Sequence, residues 1–459
     1  MRRGILAALL GLLTSASPML AQAPSAAGES NSLLIVVNPA SGPPAAGATL
    51  VAAAAPPVAA GVPPAAAPVQ GVPTIVGPED VFWSAPPPHA SETGLPCGTV
   101  WLNADYLLWW IRQAPIAAPL VTTGSPLDAV PGALGQNNTA VLFGNNAANL
   151  GAFSGFRVSL GFAFAEGWMV EGTYFGLETR VVGQSFQSDA GGNPVIARPY
   201  FDNQTGAPAA YLDSSPGLLA GGATVAIDTR LFGYEANVGT VAYRDESMRF
   251  DLLVGFRALE LDEQLQISDN VAALVPGVLT FLGAPADPPN SLTILDRLHN
   301  YNRFYGGQIG GRFHWLMNGL DLGVTAKLAL GATDELARID SATNLNTPGV
   351  GQTSNPGGVL VQPSNAGFFT QCRFAYVPEL ALDMGYWVCP HVRLEVGYQF
   401  LYWSEVARPG SEIDLNVNPA QVPRDPRFGS GLGAAQPAFQ FHQSDFWAQG
   451  FHFGVLLQY

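Results

Sequence analysis

Cysteine and basic residues are both scarce in this 459-residue sequence. The three cysteines, Cys97, Cys372 and Cys389, are an odd number without metal-binding spacing, so at most one disulfide can form among them. The 20 Lys and Arg residues are outnumbered by 35 Asp and Glu residues, which gives a formal net charge of −15. An acidic chain repels phosphate backbones, so the composition excludes nucleic acid as an expected partner.

Long hydrophobic runs are missing after the first residues of the chain. A charged start at Arg2 and Arg3, followed by a short apolar run, predicts a secretory signal peptide over residues 1–23, with cleavage near Ala21 or Ala27 as alternatives. Its removal takes both arginines and changes the net charge from −15 to −17. No later run has the length of a membrane helix. The exported chain is therefore periplasmic, extracellular or a barrel.

Motifs for catalysis and cofactor binding are missing as well. A hydrolase needs a nucleophile or an activated water beside a histidine and an orienting carboxylate. The run Gly429–Gly433 lacks the strand-to-helix context of a phosphate-binding loop and is interpreted as a turn. We therefore expect no enzyme activity, no cofactor and no metal site. The six histidines all lie outside Gly-x-Ser-x-Gly and His-Glu-x-x-His frames: His89, His299, His314, His391, His442 and His452.

Large side chains are rare in residues 24–96, where Ala, Pro, Val and Gly dominate the first part, residues 24–80. A segment of this kind cannot bury a core, and it predicts a flexible, polyproline-like periplasmic leader. The alternative is a plug that folds back into the following domain. A regular pattern then occupies residues 97–459, which we predict to be one domain.

The most informative stretch that is present is the last one, Gly450–Tyr459. Its residues alternate between an apolar face and a smaller, more polar face, as expected for a strand of about ten residues. A terminal aromatic residue suits the strand that closes an outer-membrane barrel, since an open edge in lipid leaves backbone groups unsatisfied. The strand is also the expected contact with the barrel assembly machinery. The apolar face is Phe451, Phe453, Val455, Leu457 and Tyr459.

Ten segments in all show this alternation, and their connections alternate in length. Four tight turns, near residues 166, 245, 318 and 390, separate five long loops. Short periplasmic turns that alternate with long external loops are typical of outer-membrane barrels. The pattern predicts an all-β, antiparallel, up-and-down transmembrane barrel of about ten strands, or twelve if residues 140–143 form another. The predicted long loops are 112–152, 183–224, 264–300, 333–367 and 405–444.

Charged residues occupy one face of nearly every predicted strand and would line the lumen. Acids and bases are almost balanced in this set, and a barrel of ten strands encloses little space. The two observations predict either a core of paired charges or a narrow pore. The predicted lumen-lining residues are Asp105, Arg157, Glu171, Glu235, Arg249, Asp251, Arg257, Arg312, His314, Asp321, Lys327, Arg373, Glu379, Asp383, Arg393, Glu395 and His452.

Aromatic residues cluster near the ends of the predicted strands, as expected for girdles at two lipid interfaces. These residues are Trp109, Trp110, Trp168, Trp315, Tyr402, Trp403, Trp447 and Tyr459.

Several stretches together resemble the seventh beta-barrel porin family of bacterial outer-membrane proteins. The resemblance covers residues 97–459 and leaves the leader unmatched. It implies an outer-membrane barrel but no assigned chemistry. The stretches are Trp101–Trp110, Pro119–Gly124, Phe304–Gly310, Phe374–Glu379, Val396–Ser404, Arg408–Gly410 and Asp445–Gly450.

The expected function is a small passive pore for ions or small polar solutes in the bacterial outer membrane. The alternative is a closed barrel that acts as a structural or surface-binding scaffold through its long external loops. An even number of strands would place both ends of the barrel domain in the periplasm, with outer-membrane lipid around the wall.

Overall fold

The computed structural model describes residues 97–459, and the predicted signal peptide and leader lie outside them. Ten antiparallel strands form a closed ring, which confirms the predicted fold class. Within residues 97–459 no helix has the length and apolar character needed to cross a membrane. The barrel strands are β1 (Val100–Ile111), β2 (Ala152–Ala165), β3 (Trp168–Leu177), β4 (Leu219–Arg244), β5 (Met248–Ala273), β6 (Ser291–Met317), β7 (Leu320–Thr347), β8 (Gly367–Cys389), β9 (Val392–Ala407) and β10 (Gln443–Gln458).

The ring closes where β10 pairs with β1. The ladder runs from Trp101 opposite Gln458 to Ile111 opposite Ala448, so the last strand is paired along almost its whole length. On its other edge β10 pairs with β9. Because β10 is hydrogen-bonded to a neighbouring strand on each side, it presents no open backbone edge to the lipid. Phe451, Phe453, Val455 and Tyr459 are exposed on the outer wall, and Leu457 is half-buried there.

Tight turns connect the strands at one end of the barrel, which we call the turn end, and long loops lie at the other, the loop end. The backbone conformation of the turn between β6 and β7 explains why its sequence is Asn-Gly. Asn318 has φ 48° and Gly319 has φ 84°, and a two-residue hairpin turn of this type needs both values positive. The other tight turns also lie where the sequence predicts them.

Strands β4 to β7 are much longer than the sequence predicts, at 26 to 28 residues. In their loop-end halves the two faces exchange chemical character, so that apolar side chains point inward and polar side chains point outward. On β5, Leu252 and Val254 are exposed on the outer face near the turn end, whereas Leu261 and Leu265 are buried on the inner face farther along, beside the outward-facing Gln264. The predicted loops 183–224, 264–300 and 333–367 were therefore partly wrong, because the barrel continues with an apolar interior and a polar exterior.

The long loops contain a second, smaller sheet and two edge strands. Residues 140–148 do form a strand, but it belongs to this second sheet, so the barrel ring itself has ten strands. The strand Arg180–Gln187 pairs with the loop-end half of β4, and Gly351–Pro356 pairs with β7. The strands of the second sheet are Ala114–Thr123, Ala140–Ala148, Ile196–Asp202, Ala207–Ser214 and Asn416–Val417.

Candidate functional site

The inside of the barrel is divided into two parts of opposite chemistry. The turn-end half holds a charged cavity of about 240 Å³, which we call the chamber. The loop-end half is filled by apolar side chains from the wall and the loops, which we call the plug. The chamber reaches the turn end at Leu316, Trp387 and Pro390, and it ends toward the plug at Phe175 and Leu259.

Most of the residues that the sequence places in the lumen come together at the chamber. Asp105 and His452 are buried in the inner wall beside it. The predicted residues that line the cavity are Arg157, Glu171, Glu235, Arg249, Asp251, Arg257, Arg312, His314, Asp321, Lys327, Glu379, Asp383, Arg393 and Glu395.

Arg373 is the exception and corrects the prediction for its position. It shares the strand face of Glu379 but is exposed to solvent. The reason is that Ala375 and Val377, which lie between Arg373 and Glu379 on the same strand face, belong to the plug and separate Arg373 from the chamber. Without Arg373 the chamber has eight carboxylates and six guanidinium or ammonium groups.

One side of the chamber holds charges that balance. Glu235 accepts hydrogen bonds from Lys327 at 2.5 Å and Arg257 at 2.8 Å, and Arg257 also reaches Glu379 at 2.6 Å. All four side chains are at least nine-tenths buried. Such pairs stabilise the fold only as a complete set, since removing one partner leaves a buried charge uncompensated.

Two further pairs belong to the balanced side. Arg312 donates to Glu171 at 2.8 Å, and Arg249 donates to Asp251 at 2.8 Å. Together with the previous group they make four carboxylates and four basic groups.

The other side of the chamber has an excess of negative charge. Asp105 accepts a hydrogen bond from Arg157 at 2.7 Å, and Glu395 accepts one from Arg393 at 2.5 Å. Arg393 also pairs with Asp321. The remaining carboxylate on this side, Asp383, is hydrogen-bonded at 2.8 Å to His452. This side therefore holds four carboxylates against two guanidinium groups and two histidines, His314 and His452.

Glycines on the inner wall make room for these side chains. Gly454 lies directly between Asp105 on β1 and Glu395 on β9 in the two ladders of β10. A Cβ atom at Gly454 would lie 2.0 Å from Oδ1 of Asp105, and one at Gly397 would lie 2.4 Å from the ring of His452. Only glycine permits this close approach, which explains the residue type at both positions.

The plug spans the bore with side chains that solvent does not reach. Trp109 is 1% exposed and Trp403 0% exposed, and Trp403 packs edge-to-face on Phe304 with ring centroids 6.2 Å apart. The prediction that Trp109 and Trp403 belong to the aromatic girdles is therefore wrong, because both lie on the inward faces of their strands. Other plug residues are Leu107, Ile116, Leu120, Val121, Phe153, Ile196, Tyr200, Val225, Ile227, Leu231, Leu261, Leu265, Ile267, Val359, Leu360, Val377, Leu401, Val417 and Val422.

A buried arginine attaches the second sheet to the barrel wall. Arg198, on the strand Ile196–Asp202, donates to Asp269 at 2.8 Å and to Asp296 at 3.3 Å. Its Nε also donates to the carbonyl oxygen of Leu120 at 2.9 Å, which ties two strands of the sheet together. Sequence reasoning missed this site because all three charged residues lie in segments predicted as loops.

Asp296 also fixes the loop between β7 and β8. It accepts hydrogen bonds at 3.1 Å from the backbone N–H groups of Val359, Leu360 and Val361. Hydrogen bonds from backbone N–H groups to a carboxylate are charge-assisted and stronger than those between neutral groups, so they hold this loop against β6.

Three more contacts attach the loop between β9 and β10. Arg408 pairs with Glu263 on β5, with 2.7 Å between Nη2 and Oε1. Asn302 on β6 exchanges two hydrogen bonds of 2.9 Å with the backbone of Ala407. Farther along, Arg424 donates to Asp213 at 2.7 Å. The available sequence signal was Arg408–Gly410, which the family resemblance contains, but its partner could not be inferred from the pattern.

Glu412, in the loop between β9 and β10, is a buried acid without an ion-pair partner among residues 97–459. Its Oε1 accepts a hydrogen bond of 2.8 Å from Asn300, and its Oε2 is buried without a partner among residues 97–459. Burial raises the pKa of Glu412 from its ordinary value of 4.5 to about 8. The side chain is therefore protonated at neutral pH.

The fold has distant likenesses among solved structures. The outer membrane protease OmpT of Escherichia coli shares 7% identity over 80% of this chain and 98% of that chain, with a TM-score of 0.37. A FadL homologue of Pseudomonas aeruginosa shares 6% identity over 80% and 90%, with a TM-score of 0.20. The toluene transporter TodX of P. putida shares 8% identity over 79% and 90%, with a TM-score of 0.17. Identities this low say nothing about activity.

The sequence comparisons place the chain in a family. No curated protein matches it. The model of the family described as "Putative beta barrel porin-7" matches residues 101–459, which is the whole barrel apart from its first residues. With its ten-stranded ring and apolar outer band, the chain belongs to this family of porin-like outer-membrane barrels.

Proposed function

We propose that this protein is a closed barrel of the bacterial outer membrane that carries a rigid loop surface and does not conduct ions. The observation that carries the proposal is the plug. Its aromatic and aliphatic side chains lie across the bore at an exposure of 1% or less for Trp109, Phe304 and Trp403. Ions need a polar, hydrated path, and a packed apolar layer is a barrier to them.

The attachments of the loops support a structural or binding role. Loops that only gate a pore must move, and movable segments have few buried contacts. Here Arg198 and Arg408 join the loops to the wall by ion pairs whose side chains are almost completely buried. A loop surface held in this way is suited to present a fixed binding face.

The outer wall supports one orientation in the membrane. The turn-end half has an outward apolar band that suits outer-membrane lipid, and the loop-end half has a polar exterior that suits water. In this arrangement the turn end lies in the periplasm together with the first and last residues of the barrel domain, and the loops face the cell exterior. The closing strand β10 is then the contact for the barrel assembly machinery.

A small passive pore is the second candidate. One observation favours it: the chamber is polar and reaches the turn end at Trp387 and Pro390. A pore would need this polar path to continue through the plug.

Ion conductance in a planar bilayer separates the two functions. The chain with and without residues 24–95 should give no discrete steps. Replacing Ala114–Ala148, two strands of the plug, by a short Gly-Ser linker should open the bore and give steps. The control replaces the exposed hairpin Gly349–Asn355, which lies on the edge of β7 outside the plug, and should stay silent.

Each alternative result would contradict the closed barrel. Steps of stable size in the full-length protein would support the pore. Conductance steps that appear only in the variant lacking residues 24–95 would show that the leader blocks an otherwise open barrel. Circular dichroism checks that every variant forms the barrel.

A further inference from the structure

We propose that Asp105, Glu395 and His452 form a binding site for one divalent transition-metal ion, with Zn²⁺ as its simplest occupant. The three residues come from the adjacent strands β1, β9 and β10. One potential ligand atom from each lies within 4.8 Å of the other two. The sequence alone gave no reason to expect a metal here, because the residues are far apart in the chain.

The histidine is prepared to act as a ligand. His452 is 0% exposed, and its Nε2 is 2.8 Å from Oδ1 of Asp383. Since Asp383 is a carboxylate, Nε2 carries the proton and donates it. Nδ1, which carries a lone pair in the neutral ring, is buried and has no hydrogen-bond partner among residues 97–459. A carboxylate that orients a histidine through its other nitrogen is the usual arrangement behind a metal-bound imidazole.

Of the two carboxylates, Asp105 has an unpartnered oxygen, whereas the oxygens of Glu395 each accept one hydrogen bond of 2.5 Å, from Asn103 and Arg393. Asp105 uses Oδ2 for Arg157, whereas its Oδ1 is buried without a partner among the described residues. Glu395 reaches the same place from the opposite strand, because Gly454 between them has no side chain. Two carboxylates brought together in this way repel each other unless a cation or a proton lies between them.

The charge count agrees with a divalent ion. The half of the chamber that contains the site has four carboxylates, Asp105, Asp321, Asp383 and Glu395, two guanidinium groups and two histidines, His314 and His452. The other half balances four against four. With both histidines in the neutral form that binds a metal, two negative charges remain in this half, and one divalent ion would neutralise them.

The ligand types select the class of metal. One imidazole nitrogen with two carboxylate oxygens suits Zn²⁺ and its first-row neighbours, whereas Ca²⁺ and Mg²⁺ prefer oxygen ligands alone. Glu395 and Asp383 line the chamber, so an ion can enter from the turn end. The site does not depend on whether the barrel conducts.

Calorimetric titration tests the proposal with the intact chain, extracted in detergent and stripped with a chelator. Zn²⁺ should bind with one ion per chain. His452→Gln and Asp105→Asn should each weaken binding at least tenfold. Asp383→Asn should weaken it by about ten- to a hundredfold, because Asp383 acts through the orientation of His452. His314→Gln is the matched control, since His314 faces the same chamber but pairs with Asp321 at 2.9 Å, and it should leave binding unchanged.

Three results would overturn the proposal. The first is no Zn²⁺ binding by the wild-type barrel, which would leave a proton between the two carboxylates. The second is equal binding by wild type, His452→Gln and Asp105→Asn, which would place the ion elsewhere, for instance in the acidic loops. The third is Ca²⁺ binding as tightly as Zn²⁺. A Co²⁺-loaded sample should show visible absorption bands that are lost in His452→Gln, and circular dichroism confirms that the variants are folded.

Discussion

Arg198 and Asp269 form an ion pair of 2.8 Å in which the two side chains are 1% and 0% exposed. Arg198 lies on a loop strand and Asp269 on β5 of the barrel wall, so this pair attaches the plug to the wall. Arg198 also contacts Asp296, which places two carboxylates around one guanidinium group.

Arg198→Met should therefore destabilise the protein by about 3–5 kcal/mol, because two buried carboxylates lose their partner. Thermal unfolding in detergent measures the loss, and limited proteolysis should show faster cleavage of the loops. The matched control is Arg303→Met, since Arg303 is half exposed and 3.6 Å from Glu260 on the outer wall. The control should change the stability by less than about 1 kcal/mol. Equal effects of the two substitutions would contradict the role of Arg198.

Glu412→Gln should stabilise the protein in a pH-dependent way. The pKa of Glu412 is about 8 in the folded protein and has an ordinary value of 4.5, so the folded state holds the proton more tightly than the unfolded state. The wild type keeps its full stability below pH 4.5 and loses up to about 1.4 kcal/mol per pH unit until pH 8. Gln carries no charge and avoids this loss.

Unfolding midpoints of wild type and Glu412→Gln at pH 4.5, 7 and 9 measure the effect. The difference should be small at pH 4.5, reach up to about 3 kcal/mol at pH 7, and level off above pH 8. A difference that does not change with pH would show that Glu412 is not protonated in the plug. Glu260→Gln, on the outer wall, is the control and should show no such trend.

Gly161→Ala should disturb the turn end of the barrel. The ring of Trp101 lies across Gly161 in the ladder of β1 and β2, and a Cβ atom there would be 2.0 Å from the ring. Overpacking of this kind costs about 1–3 kcal/mol. Tryptophan fluorescence should shift to the red as Trp101 leaves its contacts with Met169 and Leu253.

Gly172→Ala provides the comparison for this prediction. Gly172 faces outward on β3, and a Cβ atom there would meet nothing within 4 Å. The substitution should leave both the unfolding midpoint and the fluorescence unchanged. A loss of stability at Gly172 as large as that at Gly161 would attribute the effect to the strand backbone and not to Trp101.

The sequence by itself determined the barrel and its turn-end half. Alternation in strands such as Gly450–Tyr459, and the Asn318-Gly319 turn, are local patterns, because the pleat of a strand and the φ values of a turn are set by neighbouring residues. The same alternation identified the charged inner face, where fourteen predicted residues line one cavity. Arg373 departs from this pattern because Ala375 and Val377 of the plug separate it from the chamber on the same strand face.

Only the tertiary structure decided what fills the bore. The loop-end half of β5 alternates as regularly as the turn-end half, but its apolar residues Leu261 and Leu265 face inward. An apolar inner face is stable only because the apolar plug packs against it. The partners that hold the plug, such as Arg198 with Asp269 and Arg408 with Glu263, are 71 and 145 residues apart. Pairing over such separations depends on which strands the ring brings face to face. No local pattern in the sequence encodes that proximity.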